Sequence, residues 1–585
     1  MREQDRALRR ADHRRILVCL ALVALSALAW AGEVQAQAPP APPRLPAVIP
    51  PLTSPIPGVL PPEQPEIVPP SPPPTEAAPP PPAGPPVRVD EIRVEGVTVY
   101  NEAELRSLYS DAIGPAMPRA RLDEIVQDLQ RRYREDGYIL TVVRGEFRHI
   151  GGRVVFVIRA IEGYIGSIKL DGDIGPAGTL VYDFLQNLTT KRPVNNADLE
   201  RYLLLAGDIP GVTVRAVLRR LPGEAGAVEL VAQVSRKPVS GLVNYDNRGP
   251  QDVGPNEILV SGALNSFTSL GERLEAIFYN TFNREELFGQ VDGDAFLGAK
   301  GLRLRGYFGR GSTQPGGVFA PIGFNGDLTI GGGALSYPVI RSRRLNFYVD
   351  GDIDAYESVI SLAPGTGAPG SGSHLVMLRV GGALDYQDSF VAGLPAANST
   401  NLKVTKGVAA SSNTRPGNQV DFAKFTGELA RVQNLFTVGN VATALKGQVG
   451  GQYTNDILPP SEKFFLGGVR FGRGYFYGQV TGDRAVGSTL ELQVNTGFTE
   501  LPFLPTDYRL ETQFYGFWDY GRGYNLAPGE PDHTIQSLGI GVRSDLTNWL
   551  FVELEGVHRL VTHPQGASVS ALPGYAFFAR VAMHY

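Results

Sequence analysis

Cysteine is nearly absent from this chain of 585 residues, which contains only Cys19. Methionine and tryptophan are also scarce, with 4 and 3 residues. Beyond residue 31 the sequence has no long apolar run, whereas a helix that spans a bilayer needs about 20 predominantly apolar residues. These shortages predict that most of the chain uses neither disulfides nor thiolates, and that it has no transmembrane helix there.

Residues for catalysis or cofactor binding are equally hard to find. The seven histidines are scattered, without an HExxH motif or other ligand spacing, so we predict no metal site. Gly293 to Lys300 is spaced like a phosphate-binding loop, but no Ser or Thr follows the lysine. With no nucleophile–base pair either, we predict no catalytic residue and no cofactor, and an enzyme would lack a site.

The first 38 residues have the features of a secretory signal peptide. Six arginines precede the apolar stretch Ile16–Ala31, and Ala36-Gln37-Ala38 offers a small-x-small cleavage site. Residues 1–38 hold 6 of the 54 basic and 4 of the 59 acidic residues, which leaves 48 against 55 and a formal charge of −7. A mildly acidic exported chain gives no reason to expect nucleic-acid binding.

Residues 39–86 form a proline tract, in which 23 of the 48 residues are proline. Proline has no backbone N–H and a fixed φ, so the tract cannot form a helix or a regular sheet. We predict an extended linker, either a semi-rigid spacer or a segment that docks elsewhere.

Two segments after the tract repeat one order of predicted elements: strand, helix, helix, strand, strand. In the first copy, Leu122, Ile125, Leu129 and Tyr133 recur at helical spacing, and Asn101 is placed to cap the preceding helix. Such repeats resemble polypeptide-transport-associated (POTRA) domains. The resemblance implies strand edges that accept an extended substrate, and we expect these at Ile139–Arg144 and Val212–Arg219.

From residue 239 onward, apolar and polar residues alternate in strands separated by loops rich in Gly, Pro, Asn and Asp. We predict sixteen strands, near residues 239–247, 256–266, 272–282, 287–298, 302–312, 327–339, 344–358, 374–388, 396–408, 421–435, 440–454, 485–498, 509–524, 534–545, 549–560 and 574–585. An even number of alternating strands is typical of an antiparallel outer-membrane β-barrel. A soluble sandwich also alternates, but the signal peptide favours the barrel.

Two strands carry the clearest barrel pattern. In the twelfth, Leu490 and Leu492 would face lipid while Glu491 faces a wet lumen. The last strand alternates through Phe577 and ends on Tyr585, an aromatic residue suited to the membrane interface. We therefore predict that this terminal strand closes the barrel against the first.

The most specific motif lies between the eleventh and twelfth strands, in what would be the sixth outer loop. It consists of Gly467, Gly468, Val469, Arg470, Phe471, Gly472, Arg473, Gly474 and Tyr475. It resembles the sixth-loop motif of outer-membrane barrels that move or insert polypeptides, although Gly472 replaces the usual valine. The thirteenth strand carries a matching signature, Phe517-Trp518-Asp519-Tyr520-Gly521.

These motifs resemble those of the haemolysin secretion/activation family, the outer-membrane transporters of two-partner secretion. The resemblance implies that Arg473 enters the lumen and pairs with Asp519, with Arg470 as the rival arginine. It also implies a secreted exoprotein, unfolded in the periplasm, as the partner, together with outer-membrane lipid and the barrel assembly machinery. Many members have an N-terminal plug helix, whereas here the proline tract takes that place.

The predicted organisation has five parts: signal peptide 1–38, proline-rich linker 39–86, POTRA modules 87–163 and 164–237, and barrel 238–585. The predicted function is export of a large exoprotein across the outer membrane. An assembly insertase of the same superfamily is an alternative, although such proteins usually carry three or more POTRA copies. A diffusion porin with periplasmic binding modules is another, and it predicts no Arg473–Asp519 contact.

Overall fold

The computed structural model describes residues 67–68, 85–249, 253–316, 320–321, 323–362, 371–412, 420–498, 510–567 and 570–585. The predicted signal peptide and nearly all of the proline tract lie outside the described residues. One two-residue strand of the tract, β1 (Ile67–Val68), is described. In this described part of the chain, no helix combines the length and the apolar character needed to cross a bilayer.

The first module packs two helices on a three-stranded sheet of order β3-β6-β5. Its elements are β2 (Val87–Val89), β3 (Glu91–Glu95), α1 (Glu102–Tyr109), β4 (Gly114–Met117), α2 (Arg119–Glu135), β5 (Val142–Ile150) and β6 (Arg153–Ile161). As predicted, the Asn101 side chain caps α1 by accepting from the Glu104 N–H. Burial raises the pKa of the Tyr133 hydroxyl, which donates to Glu162 at 2.7 Å inside the module core.

The second module repeats this arrangement with a sheet of order β1-β8-β9-β7. Its elements are β7 (Tyr164–Asp171), α3 (Ala177–Gln186), a 3₁₀ turn (Asn187–Thr190), α4 (Asn196–Gly207), β8 (Val212–Arg220) and β9 (Ala227–Arg236). Backbone bonds join the modules, because Asn196 N–H donates to Gly137 O at 2.8 Å and Val194 N–H donates to Gly163 O at 3.0 Å. These bonds hold the two modules in one orientation.

Sixteen antiparallel strands form a closed barrel, as predicted. They are β10 (Val239–Asp246), β11 (Glu257–Asn265), β12 (Arg273–Thr281), β13 (Glu286–Phe296), β14 (Arg303–Thr313), β15 (Asn325–Arg341), β16 (Leu345–Ser361), β17 (Ser371–Asp388), β18 (Ala396–Ser412), β19 (Ala423–Val438), β20 (Val441–Thr454), β23 (Arg484–Phe498), β24 (Leu510–Tyr524), β25 (His533–Thr547), β26 (Leu550–Arg559) and β27 (Tyr575–His584). The short strands β21 (Phe464–Leu466) and β22 (Val480–Gly482) lie in the sixth outer loop.

The barrel closes where the last strand meets the first. Leu242–Asp246 of β10 pair with Arg580–His584 of β27. Tyr585 extends this seam by exchanging two backbone hydrogen bonds with Gly241, at 2.9 and 3.0 Å. The predicted faces are also present on β23, where Leu490 and Leu492 are exposed outward and Glu491 is buried inward.

The second module is docked on the turns at one end of the barrel. Arg341, at the end of β15, donates to both carboxylate oxygens of Asp208 at 2.8 and 2.7 Å. Arg201 of α4 donates to Pro338 O at 2.8 Å. Phe296 of the barrel packs in the module core, with its ring 5.4 Å from that of Phe184. The modules therefore lie directly at the barrel mouth.

Both predicted acceptor edges need correction. The predicted edge Ile139–Arg144 begins too early, because Thr141 N–H bonds Tyr138 O in a turn and β5 begins at Val142. Gln130 of α2 then covers its first residues by donating to Thr141 O and accepting from Val143 N–H, both at 2.9 Å. The other predicted edge, Val212–Arg219, is paired in part with Ile67–Val68.

Candidate functional site: the loop inside the barrel

Backbone hydrogen bonds fold the sixth loop into a compact tip between β21 and β22. Gly467 N–H donates to Phe471 O at 2.7 Å, and Gly468 N–H donates to Tyr475 O at 2.9 Å. Gly467, Gly468 and Gly472 have φ of 106°, 79° and 102°, in the left-handed region that only glycine adopts without strain. The glycines thus give the loop the reversals that the fold of its tip requires.

Arg473 projects from this tip onto Asp519 of β24. Its Nε donates to Asp519 Oδ2 at 3.0 Å and its Nη2 donates to Oδ1 at 2.9 Å. The backbone N–H of Arg473 also donates to Oδ2, at 2.8 Å. Both side chains are buried, with 7% and 0% of their surface exposed. The two-pronged geometry is the one that a planar guanidinium forms with a carboxylate.

A second carboxylate completes the environment of Arg473. Its Nη1 donates to Glu491 of β23, which lies beside Asp519 on the inner wall. Arg543 donates to the other Glu491 oxygen at 2.5 Å and lies 3.6 Å from Glu553. Charges of alternating sign therefore continue along the wall, so each buried charge lies next to an opposite one.

The thirteenth-strand signature supports the arginine with an aromatic face and with close packing. The Arg473 guanidinium lies 3.6 Å from the centre of the Phe517 ring, a distance at which a cation is attracted to the ring face. A Cβ on Gly521 would lie 3.0 Å from Leu466 of the loop, and one on Gly474 would lie 2.8 Å from Ser537. Larger residues at either glycine would separate the loop from the wall.

Tyr475 anchors the tip on a second wall segment and is fully buried. Its hydroxyl oxygen lies 2.7 Å from Gln536 O and 2.8 Å from Val561 O, and it accepts from the Gln536 N–H at 3.2 Å. The side chain thus links the loop to β25 and to the chain after β26.

The structure separates the predicted site residues into two groups. Nine of them meet in the lumen: Gly467, Gly468, Gly472, Arg473, Gly474, Tyr475, Phe517, Asp519 and Gly521. Phe577 and Tyr585 lie apart on the terminal strand, where 63% and 75% of their surfaces are exposed. Arg470, the rival arginine, pairs with Glu428 of β19.

Further loop contacts come from residues that the sequence analysis did not single out. Arg559 of β26 donates to Gly474 O. Asp483 accepts from the Leu458 and Leu526 N–H groups at 2.9 and 2.8 Å, and Glu462 lies 3.0 Å from Arg379 of β17. An isolated arginine or carboxylate gives no sequence signal of such a role, because its partners lie tens of residues away.

Two family profiles match the chain. Residues 379–544 match the haemolysin secretion/activation protein ShlB/FhaC/HecB, and residues 87–146 match the ShlB-type POTRA domain. These two segments lie in the barrel and in the first module, respectively. The two matches and the closed sixteen-stranded barrel support a two-partner secretion transporter in the outer membrane, with its POTRA modules in the periplasm. No curated protein sequence is significantly similar to it.

Solved structures share the same fold. CdiB from Escherichia coli is 17% identical, with a TM-score of 0.68 over 88% of this chain and 93% of that one. CdiB from Acinetobacter baumannii is also 17% identical, with a TM-score of 0.59 over 86% of this chain and 90% of that one. The chain thus shares the fold of these two solved structures over most of its length.

Proposed function

We propose that this transporter takes an unfolded exoprotein from the periplasm and moves it through the barrel. In this proposal, Arg473 and Asp519 hold the tip of the sixth loop in place against the inner wall. The buried contact between these two side chains carries the proposal, since it joins the loop tip to the inner wall through three hydrogen bonds. A diffusion porin would have no need of this contact.

Capture begins at the open part of β5. The even-numbered residues of β5 form its backbone hydrogen bonds with β6. This follows because the N–H of Val143, an odd-numbered residue, points away from β6 towards Gln130. The outward N–H groups are therefore those of Gly145, Phe147 and His149, all three exposed. An extended exoprotein segment can add here as a further strand, with backbone hydrogen bonds that do not depend on its sequence.

Transfer to the barrel follows from the docking of the second module. The Arg341–Asp208 pair and the Phe184–Phe296 contact hold the module against the barrel mouth. A segment released from the modules therefore enters the lumen without a long passage through the periplasm. Folding of the exoprotein outside the cell would then drive transport in one direction.

The barrel itself has two further proposed partners. Outer-membrane lipid would contact the apolar outer face, to which Leu492, Phe577 and Tyr585 contribute. The barrel assembly machinery would act on the terminal strand β27, whose pairing with β10 closes the sheet.

The first test is an alanine substitution in the loop. Arg473→Ala removes the buried guanidinium and leaves Asp519 and Glu491 without the cation that they share. The tip of the loop should then lose its fixed position on the inner wall. We expect secretion of the partner exoprotein to fall at least about tenfold, the effect of a free-energy change near 1.4 kcal/mol. Barrel assembly, measured by heat-modifiable migration, should stay at wild-type level.

Two variants serve as comparisons. Arg473→Lys keeps the charge but lacks the planar fork, so it should rescue secretion poorly. Arg470→Ala is the matched control, since it removes the neighbouring loop arginine that pairs with Glu428 instead. Wild-type secretion by Arg473→Ala would show that the contact has no role in transport.

A further inference from the structure

The proline tract occupies part of an edge in the second POTRA module. Ile67 and Val68 pair in parallel with Ala216 and Val217 of β8. β8 is otherwise the outer strand of the sheet β8-β9-β7, so β1 covers a row of backbone groups that would face away from β9. Exposed strand edges readily accept other strands.

The tract can cover this edge only briefly. Pro65, Pro69 and Pro70 lie on either side of the pairing residues. Because proline has no N–H to donate, the ladder cannot continue far in either direction. The result is a strand two residues long on a partner strand nine residues long. A longer segment without prolines could form more hydrogen bonds with β8 and would displace it.

We propose that Ile67–Val68 is a self-strand that occupies the β8 edge until an exoprotein segment displaces it. This inference rests on the proposed transport function and adds its regulation: β5 offers an open edge for first capture, whereas the β8 edge becomes available only by exchange. The self-strand prevents unrelated extended chains, and β8 edges of other copies, from pairing at the barrel mouth.

Occupation of the β8 edge can be tested without any exoprotein. The measurement is amide hydrogen exchange on the full-length protein, solubilised in detergent. Replacing both residues, Ile67→Pro with Val68→Pro, removes both N–H groups of β1 and therefore whichever one faces β8. We expect amides within 212–220 that bond β1 to exchange on the order of tenfold faster, the effect of losing about one hydrogen bond. The control is Val48→Pro with Ile49→Pro, a similar dipeptide of the same tract, and it should leave β8 unchanged.

A peptide with the sequence of residues 63–70 supplies the complementary measurement. Labelled with fluorescein, it should bind the Ile67→Pro/Val68→Pro protein at least about tenfold more tightly than the wild type, whose edge is already occupied. Equal exchange of β8 and equal peptide binding in the two proteins would overturn the self-strand.

A reversible crosslink tests the regulatory claim. Val68 and Val217 are register partners, and strands about 4.8 Å apart suit a disulfide. In a Cys19→Ser background, Val68→Cys with Val217→Cys should block secretion when oxidised and restore it when reduced. The control pair is Val48→Cys with Val217→Cys, which should secrete in both states.

The outcomes separate the two proposals. If the locked protein secretes at the wild-type rate while the exchange data show an occupied edge, the self-strand exists but does not regulate transport, and the proposal fails. If even the uncrosslinked wild type exports no exoprotein, the proposed transport function fails, and the exchange and peptide measurements still decide whether the edge is occupied.

Discussion

Arg473 lies between two buried carboxylates, so its effect differs from that of a surface ion pair. A solvent-exposed pair contributes about 0–1 kcal/mol, whereas removing one partner of a buried pair costs about 3–5 kcal/mol because a charge remains without compensation. Asp519 and Glu491 are not equivalent partners. Asp519 accepts from the backbone and the side chain of Arg473, while Glu491 is shared with Arg543.

This difference predicts an order of effects. Asp519→Asn removes the charge that faces both the guanidinium fork and the loop backbone, so it should release the loop strongly. Glu491→Gln leaves that contact intact, and Arg543 still has Glu553 nearby. We expect amides of residues 467–475 to exchange at least about tenfold faster in Asp519→Asn than in Glu491→Gln. Equal exchange in the two variants would contradict the ranking.

At the scale of single elements, periodicity predicted helices and strands well but could not identify open edges. Helical spacing in α2 and alternation in β23 assign buried and exposed faces, because side chains follow the period of the backbone. Which N–H groups of β5 point outward depends on its register with β6 and on Gln130, which lies on another element. The predicted edge at Ile139–Arg144 therefore reached the edge strand β5 but began before its first residue, Val142.

The corrected edge can be tested at His149. His149→Pro removes one outward N–H from an exposed position and should weaken strand addition on β5. His149→Ala removes the same imidazole but keeps the N–H. We expect the proline variant to lower exoprotein binding to the full-length protein several-fold relative to alanine, with unchanged thermal unfolding of the modules. If the two variants bind equally, capture does not use this edge.

At the scale of the whole molecule, the sequence predicted the sixteen strands and the position of the loop, since both depend on local pattern. The docking of the second module was not predictable, because Arg341 and Asp208 are 133 residues apart and neither lies in a recognisable motif. The wall contacts of Glu491 and Arg559 were missed in the same way, although alternation did place Glu491 in the lumen.

Barrel closure predicts a role for Tyr585. Tyr585 makes two backbone bonds to Gly241 and its ring lies 5.1 Å from Lys237 Nζ. Deleting it should lower the amount of heat-modifiable barrel in the outer membrane several-fold, since the seam loses its terminal pairing. Tyr585→Phe keeps the backbone bonds and the ring and should assemble normally. Unchanged assembly of the deletion would remove this role.

The central claim, that an exoprotein passes through the barrel, can be measured by site-specific photocrosslinking at adjacent residues of β18. Asn401 and Leu402 are both exposed, but alternation places Asn401 in the lumen, on the side of Lys403, and Leu402 on the lipid face. A photoreactive residue is placed at each position while the exoprotein is arrested during export by a folded C-terminal domain. Crosslinks from position 401 and none from position 402 are the predicted result. Crosslinks from neither position, in a strain that secretes the exoprotein, would contradict passage through this barrel.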